Sequence, residues 1–150
     1  MTVAEGDDSP VGRGLLPRLL GYQLRRAQVA MFRHFARQVT VAEDITPALF
    51  GMLQVIAANP GLAQSRLAEA MGVERSAIVK VVDQLEARGL IVRRPSPRDR
   101  RSHSLHLTAA GGERLARLEE LVLANEADFA GRLSAEEQAQ LLHLLDRLHG

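Results

Sequence analysis

The segment from Gln64 to Thr108 constrains the fold more than any other part of the chain. Its pattern of apolar residues predicts two short helices with a glycine-containing turn between them, then a strand, an arginine-rich turn and a second strand. This order is typical of a winged helix-turn-helix, an architecture that lies on duplex DNA. The alternative is a solvated hairpin that carries arginine by chance, and the two helices before it argue against that alternative.

The predicted wing is strongly basic. Six arginines stand between residues 88 and 101, and a single acidic residue, Asp99, opposes them. Such a run, around a turn flanked by prolines, suits phosphate contact and insertion into the minor groove. The six are Arg88, Arg93, Arg94, Arg98, Arg100 and Arg101.

Charge is unevenly distributed along the chain, although its formal net value is only +1. Residues 62–107 contain nine basic and five acidic residues, whereas residues 108–150 contain four arginines and eight acidic residues. A basic middle beside an acidic end is typical of a nucleic-acid-binding module attached to a second unit.

Composition narrows the class of protein further. With 150 residues, 46% apolar and only 3% aromatic, the chain is expected to have an aliphatic and mostly helical core. The lack of cysteine excludes disulfides, thiolate zinc sites and thiol-based redox sensing. No apolar run is long enough for a membrane span, and residues 1–13 lack the apolar core of a signal peptide. We therefore expect a short disordered arm at residues 1–13 and a cytoplasmic protein.

Helical periodicity organises the N-terminal third of the chain. Apolar residues recur at three- and four-residue steps over residues 14–40, which predicts a long first helix followed by a loop at residues 41–44. Thr46 and Pro47 then have the residue types of an N-cap and a first helical position. The helix that they open contains no charged residue and ends at Asn59, so we expect it to be buried on most sides.

Caps and glycines delimit the other elements. Gly72 and Gly89 are suited to close the two helices of the DNA-binding motif, and Thr108 is suited to cap the helix after the wing. Ser134 with Glu137 forms a capping box for the last helix. The predicted helices span residues 64–71, 75–88, 109–129 and 135–149, and the predicted strands span residues 90–94 and 103–107. The inward stripe of the second motif helix is Ile78, Val81, Val82 and Leu85.

The first helix and the last two are too long to be covered by a small winged lobe. A stripe such as Leu141, Leu145 and Leu148 needs an apolar partner, either from the same chain or, as we expect for a DNA-binding protein of this size, from a second copy. We therefore predict a mainly α fold with a small β-wing (α+β). One domain covers residues 14–150, with a winged lobe at about residues 46–107 and dimerisation helices at about residues 14–40 and 108–150.

Four segments carry a family resemblance: GYQLRRAQ, TPALFGML, the block NPGLAQSRLAEAMGVERSAIVKVVDQLEARGLIVR and the wing PSPRDRRSHSLHLTAAG. From about residue 14 to its C-terminus the chain resembles MarR-type transcriptional regulators. The most specific part is the D-x-R element at Asp99 and Arg101, followed by L-x-L-T-x-x-G at residues 105–111. Two positions depart from the family pattern. Ser96 stands where an aspartate is frequent, and Ala63 replaces a serine or threonine N-cap, at a cost of about 1 kcal/mol.

The resemblance implies a homodimer whose terminal helices interlock, and in most cases a repressor that a small ligand releases from DNA. By position, the first motif helix crosses the DNA backbone, the second enters the major groove, and the wing reaches the minor groove with Arg101 paired to Asp99. For Arg75 and Lys80 the alternative is a solvated helix face. The implied DNA-binding residues are Gln64, Ser65, Arg66, Arg75, Ser76, Ala77, Lys80, Arg98, Asp99, Arg100 and Arg101.

The resemblance also implies an effector pocket between the dimer core and the DNA-binding lobe. The segment LGYQLRRAQ resembles regulators that respond to aromatic acids or their CoA thioesters, so we expect an effector of that class. For His34 the alternative is a histidine on the flank of a helix. The candidate ligand-binding residues are Tyr22, Arg26, His34, Phe50 and Met52.

These predictions describe a non-enzymatic, sequence-specific transcriptional regulator. We expect a ligand-responsive repressor that binds a pseudo-palindromic operator in double-stranded DNA as a homodimer, without a cofactor, a metal or a membrane. The alternatives are an activator or architectural DNA-binding protein without a ligand, a protein-interaction module, and an enzyme. No motif supports the enzyme, and His103 and His106 point to opposite faces of their strand, so they do not form a metal pair.

Overall fold

The computed structural model describes residues 10–150 and is mainly helical with a small antiparallel sheet, as the sequence predicts. The predicted arm at residues 1–13 falls mostly outside the described residues, and residues 10–13 are exposed without regular secondary structure. The helices are α1 (Leu20–Phe35), α2 (Val41–Glu43), α3 (Pro47–Ala58), α4 (Gln64–Met71), α5 (Arg75–Ala87), α6 (Ala109–Phe129) and α7 (Ala135–His149). The strands are β1 (Leu62–Ala63), β2 (Ile91–Pro95) and β3 (His103–Leu107).

The first predicted helix differs from the structure at both ends. Gly14 has a φ of +53° and Pro17 cannot donate a helical hydrogen bond, so a short 3-10 helix at Leu16–Arg18 precedes α1 instead of its first turns. After α1 the chain forms a π-helical turn at Ala36–Thr40 and then α2. The loop predicted at residues 41–44 is therefore wrong, because the chain is helical as far as Glu43.

Two arginines that are distant in sequence hold the corner at Glu43 and Asp44. Arg88, just after α5, donates to the Asp44 carbonyl oxygen at 2.6 Å, and its guanidinium lies 3.3 Å from the Asp44 carboxylate. Arg114 of α6 donates to the Glu43 carbonyl oxygen, and its Nε lies 3.1 Å from Glu43 Oε2. These contacts favour a helical turn where the local sequence indicates a loop.

Helix α3 follows the prediction closely. The Thr46 side chain accepts a hydrogen bond from the Leu49 amide at 3.2 Å, and Pro47 occupies the first turn. The buried side chains of this helix form the centre of the core, which explains why it contains no charge. They are Leu49, Met52, Leu53 and Ile56.

The helix-turn-helix also forms as predicted. Helix α4 has the predicted bounds, lacks a side-chain cap at Ala63, and ends at Gly72 with a φ of +63°. Helix α5 ends one residue before the prediction and is followed by Gly89 at a φ of +70°. Within its predicted inward stripe only Val81 is half-buried, while Ile78, Val82 and Leu85 are buried.

The sheet has the order β1-β3-β2, with both pairings antiparallel. Strand β1 was not predicted, because two residues are too few for a period-two pattern to be visible. Strand β2 begins one residue later than predicted. Leu90 donates instead to the carbonyl of Leu85, which closes α5, while its own carbonyl accepts from the Thr108 amide.

Helix α6 begins where it packs tightly against the strand before the wing. Thr108 caps it by accepting from the Gly111 amide at 2.9 Å. A Cβ at Gly111 would lie 1.9 Å from the Leu90 carbonyl oxygen, so only glycine allows this approach. Ser134 and Glu137 make both hydrogen bonds of the predicted capping box at the start of α7.

The core joins the winged lobe to the end of α1 and to α6, but it leaves two apolar stripes uncovered. Leu20 and Leu24 of α1 are 69% and 42% exposed, and α7 has no buried residue, with Leu142 and Leu148 at 69% and 60%. Within residues 10–150, no single helix has the length and apolarity to cross a membrane. The bent pair Leu20–Glu43 and Pro47–Ala58, which meet at 71°, passes by length and composition alone.

Candidate nucleic-acid interface and effector region

The starts of α4 and α5 meet the base of the wing at one surface. Of the eleven predicted DNA-binding residues, ten are exposed and Gln64 is half-buried. A cavity of about 270 Å³ is lined by Gln64 and Ser65 of α4, Arg75 of α5 and Arg101 of the wing. The structure thus brings residues of three predicted elements together. His103 of β3 also lines this cavity, although no sequence pattern indicated a place for it beside the arginines.

A local turn shapes the wing. The Asp99 carboxylate accepts from the Arg101 amide at 2.9 Å, and the Asp99 carbonyl oxygen accepts from both the amide and the hydroxyl of Ser102 at 3.1 Å. Arg101 therefore pairs with Asp99 as predicted, but through its backbone amide and not through its guanidinium. An aspartate readily bonds the backbone two residues ahead, and that bond leaves the Arg101 guanidinium free to line the cavity.

Ser96 replaces the aspartate that the family pattern favours there. Its hydroxyl oxygen accepts from the Arg98 amide at 3.3 Å, and its own amide donates to the Ser102 carbonyl at 3.1 Å. The serine thus supplies the same kind of local contact that an aspartate would supply. The wing therefore keeps a local hydrogen bond at this position despite the substitution.

Arg93 has a role that the charge pattern did not reveal. Its guanidinium contacts Asp83 and Glu86 of α5, at 2.5 and 3.2 Å, and Gln64 of α4 at 3.1 Å. Its backbone amide donates to Glu86 as well, at 2.8 Å. The side chain is only 18% exposed, so Arg93 joins the recognition helix to the wing instead of facing solvent.

The basic run of the wing therefore divides into two groups. Arg88 and Arg93 are paired with carboxylates. Within residues 10–150 the other four arginines make no ion pair, so their charge is available to an anionic partner. Arg66 on α4 pairs with Glu69 at 3.1 Å, but both side chains are well exposed and such pairs are weak. The four are Arg94, Arg98, Arg100 and Arg101.

The five candidate effector residues do not share a cavity in the described part of the chain. Tyr22 and Arg26 are stacked on α1, with the guanidinium carbon 5.8 Å from the ring centroid. Met52 is 3% exposed within the core, and Phe50 packs against that core. In a single chain only the first two residues lie side by side at the surface.

His34 connects α1 to α6. Its Nε2 lies 3.1 Å from Asp128 Oδ2, and its ring centroid lies 5.6 Å from that of Phe129. Asp128 also accepts from Gln38, and Gln38 accepts from the buried Asn125 at 3.0 Å. This network gives His34 a packing role between two helices, which agrees with the helix-flank alternative.

A cavity of about 720 Å³ lies between α1, α6 and α7. It was not among the predicted sites, although the leucine stripes that form it were. Its walls are mostly apolar, and they include Leu24, Met31, Phe129, Leu133, Leu141 and Leu145.

Comparison with known proteins gives consistent matches. A family model described as "MarR family" matches residues 43–102. A Thauera aromatica protein, named as a transcriptional regulatory protein for the hcr operon, is 53% identical over 146 residues, covering 97% of this chain and 88% of its own length.

Solved structures agree with the sequence relatives. The transcriptional repressor CouR bound to a 23-mer DNA duplex has a TM-score of 0.88 and 40% identity, covering 95% of this chain and all of that one. CouR bound to p-coumaroyl-CoA has a TM-score of 0.85 and 37% identity, covering 93% of this chain and 98% of that one.

Proposed function

The chain belongs to the MarR family and is a transcriptional regulator of that type, and we propose that it is a ligand-responsive repressor. In this proposal a homodimer binds a pseudo-palindromic operator, and a small effector lowers the affinity for that operator. The observation that carries the proposal is the single surface on which the starts of α4 and α5 meet a wing of unpaired arginines.

The chemistry of that surface supports binding to duplex DNA. Arg75, Ser76 and Lys80 are exposed at the start of α5, where a recognition helix contacts base edges. The unpaired wing arginines suit phosphate contact or the narrow minor groove. Relatives support the same reading, since CouR is a repressor with a solved DNA complex.

The uncovered leucines support a homodimer. Leu20 and Leu24 on α1, with Leu142 and Leu148 on α7, would leave a long apolar surface in water if the chain stayed single. Such a surface marks a protein interface, and a two-fold dimer would present two recognition helices to two half-sites. The described chain offers no further apolar segment to cover these stripes.

We propose an aromatic acid or its CoA thioester as the effector class. CouR, at 37% identity, has been solved with p-coumaroyl-CoA. Tyr22, Arg26, His34, Phe50 and Met52 remain our candidate ligand-binding residues, because they combine apolar surface with groups that can bind an acid. Since they do not share a cavity in one chain, the effector would complete its site in the dimer or by a shift of α1.

The coupling needs only a modest free energy. If the effector favours a spacing of recognition helices that no longer matches grooves about 34 Å apart, operator affinity falls by population shift. A tenfold loss of affinity corresponds to about 1.4 kcal/mol of differential binding, which is ordinary for allosteric proteins.

The test has two stages. The purified protein is first used to select duplexes from a random library, and we expect enriched sequences with two-fold symmetric half-sites about one helical turn apart. The selected duplex is then titrated in the presence of aromatic acids and CoA thioesters that raise the melting temperature. Lack of enrichment contradicts the DNA-binding role. Stabilising ligands that leave operator affinity unchanged contradict the coupling, and they leave a ligand-independent regulator.

A further inference from the structure

Helix α1 and the residues on either side of it carry a concentration of positive charge that the DNA-binding surface does not account for. Residues 13–42 contain six arginines and no aspartate or glutamate. Within residues 10–150 none of the six forms an ion pair. They are Arg13, Arg18, Arg25, Arg26, Arg33 and Arg37.

One side of α1 collects much of this charge. At about 100° per residue, positions 22, 26, 29 and 33 lie within about 60° of one another, on the side opposite the leucine stripe. Arg25 lies at the edge of this side. It also lines the apolar cavity between α1, α6 and α7. The side chains on this part of α1 border a shallow surface groove and form the α1 arginine face, which consists of Tyr22, Arg25, Arg26, Val29, Ala30 and Arg33.

The face combines an aromatic plane with several guanidinium groups. Arg26 is held over the ring of Tyr22, at 5.8 Å from the centroid, so its position is partly fixed before any ligand arrives. Arg25 and Arg33 are eight residues apart, which is about 12 Å along the helix axis. Guanidinium groups bind phosphates through paired hydrogen bonds, and an aromatic ring can stack on a base. Charges spread over this length fit several phosphates better than one.

The position of the face argues against the operator as its partner. Helix α1 packs against α6 and the helical turns at its own two ends, whereas α4, α5 and the wing pack against α3 and one another. The face therefore belongs to the part of the molecule that we assign to dimerisation and effector binding. A polyanionic small molecule is the partner that this location favours.

We propose that the α1 arginine face binds the adenine base and the phosphate groups of a CoA thioester effector. This inference rests on the proposed function, and it selects the thioester over the free aromatic acid. Tyr22 stacks on the base while Arg25, Arg26 and Arg33 bind the phosphates.

The chain contains a built-in reporter for the test. It has one tyrosine and no tryptophan, so its emission comes from Tyr22 alone. Titration with free coenzyme A, corrected for nucleotide absorbance, should quench this emission saturably, and the affinity should fall as salt concentration rises. Free pantetheine, which lacks the nucleotide and does not absorb in this range, should leave the emission unchanged.

Two charge-matched variants then locate the site. The triple substitution Arg25→Gln, Arg26→Gln and Arg33→Gln should weaken coenzyme A binding at least tenfold. The control removes the same charge from exposed arginines on other elements that form no ion pair within residues 10–150. It should bind coenzyme A within about twofold of the original protein. Its substitutions are Arg117→Gln, Arg132→Gln and Arg147→Gln.

Several results would overturn the inference. One is that coenzyme A fails to quench the emission saturably, or binds with an affinity that does not depend on salt. Another is that the two triple variants lose coenzyme A affinity equally, or that the α1 variant keeps its full affinity. Loss of operator affinity with unchanged coenzyme A binding would instead assign the face to DNA. If the α1 variant does not fold, the test is the salt dependence of coenzyme A binding to the original protein. Binding that does not weaken with salt overturns the inference. The proposed function fails separately, when the original protein selects no operator or when no effector lowers operator affinity.

Discussion

At the residue scale, the orientation of the wing depends on a few side chains that hold its base and its tip. Arg93 contacts α4 and α5 from strand β2, and it satisfies Asp83 and Glu86 together. Ser96 and Asp99 fold the tip by bonding nearby backbone amides. Arg93 and Ser96, which are not among the predicted DNA-binding residues, thus help to set the shape of the proposed DNA-binding surface.

Replacing Arg93 with methionine should reduce stability and loosen the wing. The change leaves two partly exposed carboxylates without a partner, so we expect a loss of about 1–2 kcal/mol in the free energy of unfolding. Urea denaturation measures it. Arg94→Met is the matched control, because Arg94 is the exposed neighbour on the same strand and makes no ion pair within residues 10–150. Equal stability of the two variants would contradict the role given to Arg93.

Gly111 and Gly112 give a second matched pair of substitutions. Glycine to alanine normally stabilises a helix by up to about 1 kcal/mol. At Gly112 a new Cβ would meet only Leu107, at 3.8 Å, so Gly112→Ala should raise the melting temperature. At Gly111 it would lie 1.9 Å from the Leu90 carbonyl oxygen, so Gly111→Ala should lower the melting temperature. A stabilising Gly111→Ala would show that α6 does not approach Leu90 this closely.

At the element scale, local signals explain most boundaries, and distant contacts explain the rest. The caps at Thr46, Thr108 and Ser134 are visible in the sequence because a capping residue acts on an amide three positions ahead. The helical corner at Glu43 depends on Arg114, which is 71 positions away, and β1 exists only because β3 pairs with it. The effector candidates do not share a cavity in a single chain, and helical periodicity does not show which faces of separate helices meet.

The wing should act on DNA mainly through charge. Arg98→Ala combined with Arg100→Ala should weaken binding to all duplexes and flatten the salt dependence by about one unit for each phosphate that is no longer neutralised. Arg75→Ala should instead change the preference between operators, since a bond to a base edge is worth about 1–3 kcal/mol. Anisotropy titrations at several salt concentrations measure both effects. An unchanged affinity and salt slope in the wing variant would place the wing away from DNA.

At the scale of the whole molecule, the uncovered stripes of α1 and α7 predict a stable dimer. Sedimentation equilibrium at micromolar concentration should give twice the chain mass of 16.4 kDa. Leu142→Glu with Leu148→Glu should shift the protein toward a monomer and weaken operator binding, because charges are costly in an apolar interface. Val41→Glu is the control, since Val41 is 83% exposed but does not line the cavity between α1, α6 and α7. A monomeric original protein would contradict both the dimer and the palindromic operator.

The corner at Glu43 and Asp44 has a consequence for how the two halves of the molecule move. Arg88 ties the end of the recognition helix to this corner, and Arg114 ties α6 to the same place. The corner also continues α1 through the π-helical turn. We therefore predict that a tilt of α1 is passed to α5 through this corner. Arg88→Gln should weaken this coupling. The effector would still bind, but it would lower operator affinity less than it does in the original protein.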